Sequence, residues 1–266
     1  MKILIHWVKN NFKWQLKALI TWSLILGVLS FFIGWAYQPF SESGYFELVE
    51  NLPEYMKNAF LGGAGVASSL EGFLTMEYFS WMGLMFAFFP FVVATSAIAG
   101  DIENNTIEAL MSKPLSRAQF YWGKFIVLTI ATLLFILFNF FSLGFGLLTI
   151  NQSLSFFEWA GSFSLMALST LCFVALSFFF SAIFNNARQA MTLAIGLGIF
   201  MYLFNMIASA VSKPGWGKWT IFYHTDVEHI FTENTFPWLN GLFILILGII
   251  FALAGWIIFN RKDISG

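Results

Sequence analysis

The sequence is poor in the residue types on which soluble enzymes and disulfide-bonded domains depend. Only 10% of its 266 residues are charged, and it contains one cysteine, Cys172. A single cysteine excludes a disulfide framework and any multi-cysteine metal site. Soluble domains carry about 25% charged residues, so the scarcity of charge excludes an ordinary soluble enzyme.

The composition is rich in apolar and aromatic residues, which make up 59% and 20% of the chain. A charge at the middle of a bilayer is costly, so long stretches without charge locate membrane spans of about 20 residues. Backbone polar groups in lipid must pair internally, which predicts helices. The expected fold class is an all-α polytopic membrane protein that forms one transmembrane domain over 1–266. The six predicted spans are 18–38, 78–100, 125–150, 159–184, 189–211 and 238–260.

Basic residues are concentrated on one side of these spans. The opposite side carries three, which are Lys57, Lys213 and Lys218. Lys and Arg favour the cytoplasm, so we expect a cell-membrane protein with both termini inside and extracellular loops at 42–77 and 213–237. The ten basic residues on the predicted cytoplasmic side are Lys2, Lys9, Lys13, Lys17, Lys113, Arg117, Lys124, Arg188, Arg261 and Lys262.

Residues 1–17 have the pattern of a helix that lies in the membrane interface. Lys9, Lys13 and Lys17 recur at intervals of four and share one face, while Trp7 and Phe12 point away from it. This spacing predicts an amphipathic helix in the headgroup plane. The alternative is a basic flank that only obeys the positive-inside rule.

The connection 101–124, called the bracket below, combines two helix signals. Its first half has amphipathic spacing and ends at Lys113-Pro114, because the residue before proline disfavours the helical region. Ser116 and Gln119 form a capping-box pattern that starts the next helix. The pattern predicts a cytoplasmic helix–turn–helix, which is either a docking surface for a partner or a structural turn.

Three stretches of the sequence form a recognisable combination. The main stretch reads Ala99-Gly100-Asp101, then Thr106-Ile107-Glu108-Ala109-Leu110-Met111-Ser112-Lys113-Pro114-Leu115-Ser116-Arg117, then Gly123-Lys124. A second stretch is Glu71-Gly72-Phe73-Leu74, and a third is the tail Phe259-Asn260-Arg261-Lys262-Asp263-Ile264. With these stretches the chain resembles the permease subunits of ABC-2-type ABC transporters. The bracket departs from the family pattern at two positions, with Asp101 for glutamate and Asn105 for glycine.

The resemblance implies a type V ABC exporter fold in which 1–17 is a connecting helix. It also implies that the bracket couples the permease to a separate ATPase subunit by inserting into a groove on that subunit. The coupling residues carried over by position are Glu103, Thr106, Glu108, Pro114, Ser116 and Arg117.

The chain has no G-x-x-x-x-G-K-[ST] phosphate-binding motif and is not expected to be an enzyme. Since the family is driven by ATP, the resemblance implies that partner subunits supply the ATPase. ATP and magnesium would be bound by ABC ATPase subunits, and this chain would hold no cofactor. A second permease subunit, either identical or related, is expected in the lipid bilayer. No nucleic-acid partner is expected.

The expected cargo is hydrophobic or amphipathic, such as a peptide, an antibiotic or other drug, or a lipid. Asn205 is the first candidate for lining a translocation pathway, because the resemblance implies that the fifth span lines the cavity. Phe86 and Phe89, beside Pro90, offer an aromatic wall for the same pathway. Lipid-facing phenylalanines and a helix-packing asparagine are the alternatives. A sodium exporter of the same family, or a membrane enzyme or channel outside it, are alternative functions.

Two further patterns have structural explanations. Gly241, Gly248 and Gly255 recur at heptads and predict close helix packing, within the chain or at a dimer seam. The segment from His224 to His229 contains metal-ligand residue types, but its spacing is not H-E-x-x-H. A solvated polar face is favoured there, and no metal is predicted.

Overall fold

The computed structural model describes residues 2–61, 69–111 and 116–263, and this part of the chain is helical without any strand. The expected all-helical fold class is therefore confirmed. Between the long helices lie short ones that form the connections. In chain order the α-helices are α1 Lys2–Glu42, α2 Tyr45–Glu50, α3 Glu54–Leu61, α4 Leu70–Leu74, α5 Ser80–Val93, α6 Ser96–Glu103, α7 Ile107–Met111, α8 Arg117–Thr149, α9 Phe156–Ile183, α10 Ala187–Ala210, α11 Pro214–Gly217, α12 Glu228–Thr232 and α13 Trp238–Arg261.

Six helical segments of the described chain are long and apolar enough to cross a membrane, which confirms the expected number of spans. Since consecutive spans run in opposite directions, the connections alternate between two faces of the bundle. The face that carries the bracket is called the bracket face, and the opposite one the loop face. The spans are Gln15–Glu42, Leu70–Glu103, Arg117–Thr149, Phe156–Ile183, Ala187–Ala210 and Trp238–Arg261.

The N-terminal segment belongs to the same helix as the first span. α1 runs from Lys2 to Glu42 without interruption. The structure therefore does not separate the expected interfacial helix, 1–17, from the span that follows it.

Glycines allow α1 and α8 to cross at close range. A methyl group on Gly146 would lie 2.3 Å from the carbonyl oxygen of Phe31, and one on Gly34 would lie 2.8 Å from that of Leu143. Backbone atoms cannot move aside as a side chain can, so both positions require glycine. Small residues of this kind let membrane helices approach and gain van der Waals contact.

The second span is built from four helical pieces. After α4 comes a π-helical turn, Thr75–Phe79, and α5 contains Pro90 and ends at Val93. α6 resumes at Ser96. Unpaired backbone groups at this depth are tolerated only where other protein groups satisfy them. Ser181 of α9 meets this need, because its hydroxyl accepts hydrogen bonds from the amides of Ile98 (2.9 Å) and Ala99 (3.0 Å).

A buried polar triad joins the first three spans. The Ser30 hydroxyl lies 3.0 Å from the Tyr78 hydroxyl and donates to Asn139 Oδ1 at 3.0 Å. The amide of Asn139 donates to the carbonyl of Phe135 at 2.8 Å. All three side chains of the triad have no exposed surface. Hydrogen bonds of this kind connect helices in lipid, where water cannot satisfy the groups.

Aromatic packing covers the bundle at the loop face. The ring of Phe73 packs against Tyr37 and Phe46, and Phe222 packs against Phe173 at 5.3 Å between ring centroids. The Tyr45 hydroxyl donates to the carboxylate of Glu77. Burial and this hydrogen bond raise the pKa of Tyr45 above its usual range. Aromatic side chains thus form much of the packing at the loop face.

Candidate functional site

The two arms of the bracket are tied together by an ion pair between a buried lysine and a partly exposed aspartate. Asp101 lies near the end of α6, and Lys124 lies two turns into α8. The ammonium group of Lys124 pairs with the Asp101 carboxylate and also donates to the carbonyl of Ala97. Lys124 is 5% exposed and the Asp101 side chain is 21% exposed, so the lysine is shielded from water while the aspartate keeps some contact with it. The helix that contains Lys124 starts at Arg117, whereas the charge-free stretch that predicted the third span starts at 125.

The turn between α6 and α7, together with Thr106 and Glu108, is called the bracket tip below, and it passes through a left-handed residue. Asn105 has a φ of 55°, a conformation in which glycine is favoured and asparagine is tolerated. This explains why asparagine can replace the glycine of the family pattern. The turn is held by the amide of Thr106, which donates to the carbonyl of Asp101 at 2.9 Å, and by the Thr106 hydroxyl, which donates to the same oxygen at 3.2 Å.

After this turn, α7 presents one buried and one exposed side. Ile107 is 3% exposed and anchors the helix to the bundle, while Thr106 and Glu108 are exposed. Within the described part of the chain, Glu108 has no side-chain hydrogen bond or ion pair, so its carboxylate faces outward. Pro114, predicted as a coupling residue, lies outside the described residues.

Glu103 connects the bracket to the start of the fifth span. Its Oε1 accepts a hydrogen bond from the side-chain amide of Asn186 at 2.8 Å, and its Oε2 accepts one from the backbone amide of Ala187 at 2.9 Å. Ala187 is the first residue of α10. A carboxylate at a helix N-terminus pairs with free amides and with the positive end of the helix dipole.

Arg117 connects the bracket to the end of the sixth span. Ser116 and Gln119 form the predicted capping box at the start of α8, with both reciprocal hydrogen bonds present. The next residue, Arg117, extends Nη1 to the C-terminal end of α13. That nitrogen donates to the carbonyls of Phe259 (3.4 Å), Asn260 (3.1 Å) and Lys262 (2.7 Å). The guanidinium thus satisfies carbonyls that the helix leaves free.

Lys262 caps a third helix end, a contact that the sequence did not reveal. Its ammonium group donates to the carbonyls of Ala182 (3.0 Å), Ile183 (3.1 Å) and Phe184 (3.0 Å) at the end of α9. Burial lowers the pKa of Lys262. The only signal in the sequence is a basic pair at the end of the last span, which is equally typical of a cytoplasmic flank.

The predicted pathway residues lie in different surroundings. Phe86 and Phe89 have no exposed surface, and both pack on Phe135, at 5.1 and 5.0 Å between ring centroids. Asn205 is partly exposed and lies against the connection between the last two spans, where a methyl group on Gly217 would be 2.4 Å from its Oδ1. Their role in a pathway stays a prediction.

The glycine heptad of α13 faces α9. A methyl group would lie 3.5 Å from the Leu168 side chain at Gly241 and 3.5 Å from Cα of Cys172 at Gly248. At Gly255 it would lie 2.5 Å from the Tyr121 hydroxyl and 3.2 Å from Cα of Phe179. These contacts are all within the chain. The glycine face of α13 is therefore covered by α9 and, at Gly255, also by α8.

The histidine-containing segment between the last two spans packs as part of the loop face. His224 Nε2 donates to the carbonyl of Lys218 at 3.0 Å, and Nδ1 lies 3.0 Å from Oδ1 of Asn240. Its ring stacks on Phe243 at 4.1 Å. Both ring nitrogens already have protein partners, and the described residues contain no cluster of three or more potential metal ligands.

A groove of about 830 Å³ lies between α1, α8 and the start of α9, in the half of the bundle near the loop face. Its walls are formed mainly by apolar and aromatic side chains, among them Phe31, Phe141 and Trp159. Polar side chains occur at three of its lining positions, Ser142, Gln152 and Ser153. The arrangement suits an apolar chain better than an ion.

Comparison with known proteins gives one family model that matches nearly the whole chain and two relatives that match parts of it. A family model described as ABC-2 family transporter protein matches residues 8–264. The chain is 27% identical over 207 residues to the uncharacterized protein YhcI of Bacillus subtilis (strain 168), covering 66% of this chain and 64% of that protein. It thus spans less than two thirds of the length of YhcI. It is 22% identical over 216 residues to the uncharacterized membrane protein YdbK of the same strain, covering 76% of this chain and 86% of YdbK.

Proposed function

This chain belongs to the ABC-2 family of transporter proteins, and we propose that it is the permease subunit of an exporter driven by ATP that a separate subunit hydrolyses. The family and the six apolar helices make it a multi-pass membrane protein with a role in transport. To this the proposal adds that transport is outward, that ATP hydrolysis drives it, and that a separate ATPase subunit is the partner. It also places both termini and the bracket face in the cytoplasm, where an ATPase subunit would be.

The construction of the bracket is the observation that carries the proposal. The Asp101–Lys124 pair holds its two arms together, and Ile107 anchors α7 to the bundle, while Glu108 points outward. A rigid base with an exposed tip is suited to docking, since little conformational entropy is lost when it binds. In this proposal the ATPase subunit receives the tip that includes Thr106 and Glu108.

A second permease subunit is proposed to cover the exposed side of α10. Of the most apolar window of this helix, 17% is buried inside the chain, the lowest share among the six spans. Its exposed residues recur at helical spacing on one face, at Leu193, Phe200, Leu203 and Ile207. A pathway for cargo would run along this seam.

We propose a hydrophobic or amphipathic cargo, that is, a peptide, a drug or a lipid. The apolar groove beside α1 and α8 supports this class over sodium, since ion pathways in membranes are marked by ionisable side chains that face a cavity. The described residues provide no specific observation in favour of an enzyme or a channel.

The experiment is to purify the tagged chain from its native host in mild detergent, identify the chains that co-purify, and assay ATP hydrolysis. We expect a P-loop ATPase to co-purify with the wild-type chain. The informative variant is Glu108→Arg, which reverses one exposed charge on the bracket tip. We expect it to reduce ATPase recovery by about tenfold or more, because a like charge placed at a docking interface is strongly unfavourable.

The matched control is Glu47→Arg, since Glu47 is also an exposed glutamate near the start of a helix, but on the loop face. We expect this control to retain the ATPase. The proposal fails if no ATPase is recovered with the wild-type chain even after cross-linking, or if both variants lose it equally.

A further inference from the structure

We propose that Lys262 is a positioning residue that closes a ring of contacts on the bracket face, so that displacement of the bracket moves the ends of α9, α10 and α13 together. The functional consequence rests on the proposed function, in which an ATPase subunit displaces the bracket. The ring itself is a property of this chain and can be tested without a partner.

The first half of the ring leads from the bracket to the fifth span. Asp101 and Lys124 tie α6 to α8, so the two arms of the bracket move as one body. Two residues after Asp101, Glu103 receives hydrogen bonds from Asn186 and from the backbone of Ala187 at the start of α10. A shift of α6 is therefore transmitted to α10 through a bidentate contact.

The second half leads from the other arm to the fourth span by way of the tail. Arg117, at the start of α8, holds the carbonyls of Phe259, Asn260 and Lys262. The side chain of Lys262 in turn holds three successive carbonyls, 182–184, at the end of α9. Phe184 is followed closely by Asn186 and Ala187, which bind Glu103, so these contacts complete the ring.

The signs of the charges fit the helix ends that they meet. Arg117 and Lys262 are cations at helix C-termini, and Glu103 is an anion at a helix N-terminus. Each arrangement is favourable for the helix dipole and satisfies backbone groups that have no partner within the helix. Hydrogen bonds from charged groups are also stronger than neutral ones. Each link therefore joins two helix ends by charge-assisted hydrogen bonds.

The tail offers an internal comparison. Arg261 precedes Lys262, is also basic, and is exposed, yet its side chain has no hydrogen bond or ion pair among the described residues. A general need for positive charge at the membrane surface would make the two residues equivalent. The ring makes them different, and this difference is what the experiment measures.

The experiment is hydrogen exchange measured by mass spectrometry on the full chain in lipid nanodiscs. The reporter is the peptide that covers 182–190, the connection between α9 and α10. We expect Lys262→Met to raise amide exchange there by about tenfold, since it removes the charged donor but keeps the apolar stem. We expect Arg117→Ala to raise exchange in the same peptide by several-fold, although Arg117 does not contact it.

Two variants distinguish a ring from general damage to the fold. Arg117→Lys keeps a cation with several donors and should restore most of the protection of 182–190. Arg261→Met should leave exchange in 182–190 at the wild-type rate. A peptide from the α1–α8 crossing, 138–146, should remain unchanged in every variant.

Transmission is tested by the double variant Arg117→Ala with Lys262→Met. If the two residues act in one circuit, the exchange rate of 182–190 in the double variant equals that of Lys262→Met rather than the product of the two effects. The inference is overturned if Arg117→Ala affects only 259–263, or if Arg261→Met acts like Lys262→Met.

The result is independent of whether an ATPase co-purifies. If the ring is present and no ATPase is recovered, the proposed function fails and the ring stands as a feature of the fold. If an ATPase is recovered, Lys262→Met should retain it while changing the ATP hydrolysis rate of the complex in nanodiscs by several-fold. Retention of both the ATPase and the wild-type rate would show that the ring does not act in coupling.

Discussion

The second and fifth spans have almost the same mean hydropathy but opposite surroundings. In the second span, Leu70–Glu103, 78% of the most apolar window is buried inside the chain, and in the fifth, Ala187–Ala210, the share is 17%. The second span is broken into four pieces, and the fifth is one regular helix. Hydropathy therefore identifies what can enter a membrane and does not identify which span lies in the centre of the bundle.

Backbone regularity accounts for the difference. The π-helical turn, Pro90 and the break between α5 and α6 all disturb hydrogen bonding along the second span. Such a segment needs protein groups around it, and Ser181 supplies one to the amides of Ile98 and Ala99. The fifth span satisfies its own backbone and can therefore face lipid or another subunit.

The largest expected effect on stability comes from removing a buried aromatic side chain from the second span. Phe89→Ala removes a side chain without exposed surface that stacks on Phe135. We expect the free energy of unfolding to fall by about 3 kcal/mol. This value is near the low end for such changes, because in the unfolded state the phenylalanine side chain is still surrounded by apolar lipid. The measurement is unfolding by sodium dodecyl sulfate in mixed micelles, followed by tryptophan fluorescence.

The control for this comparison is Phe200→Ala, since Phe200 lies on the fifth span and is 61% exposed. It should change the free energy of unfolding by less than about 0.5 kcal/mol. Equal losses for Phe89→Ala and Phe200→Ala would contradict the contrast between the two spans.

A smaller loss of stability is expected when the Ser181 hydroxyl, which binds the backbone amides after the break between α5 and α6, is removed. Ser181→Ala leaves the amides of Ile98 and Ala99 without their acceptor, which should reduce the free energy of unfolding by about 1 to 2 kcal/mol. Ser181→Thr keeps the hydroxyl and should retain part of the stability. Ser209→Ala in the fifth span should have little effect, because its helix is regular there. If Ser181→Ala left the free energy of unfolding unchanged, the break between α5 and α6 would not need the hydrogen bonds to α9.

The smallest effect on stability is expected at the exposed side of the fifth span. Leu203→Ala, at a residue that is 44% exposed, should change the free energy of unfolding by less than about 0.5 kcal/mol. If a second permease subunit covers α10, the same change should lower the fraction of dimer in nanodiscs, measured by mass photometry. Leu253→Ala on α13, with a similar exposure of 47%, is the control and should leave that fraction unchanged.

Local patterns predicted the number of spans and the capping box at Ser116, because hydrophobic length and capping depend on neighbouring residues. The same reasoning could not find the partner of Lys124. A rule that excludes charges from spans places this lysine in the connection, yet Asp101 and the carbonyl of Ala97 allow it to be buried within α8. Charge pairing across 23 positions depends on how α6 and α8 pack, which no local window contains.

The sequence by itself determined the fold class and the family, since the spacing of apolar stretches and the short motif of the bracket are properties of neighbouring residues. The tertiary structure alone decided which span is central and which charges meet. Lys262 and the carbonyls of 182–184 are about 80 positions apart and come together because the glycine heptad of α13 packs on α9. Residues far apart in the chain become neighbours only when whole helices pack, and that packing decides which helix ends a charged side chain can reach.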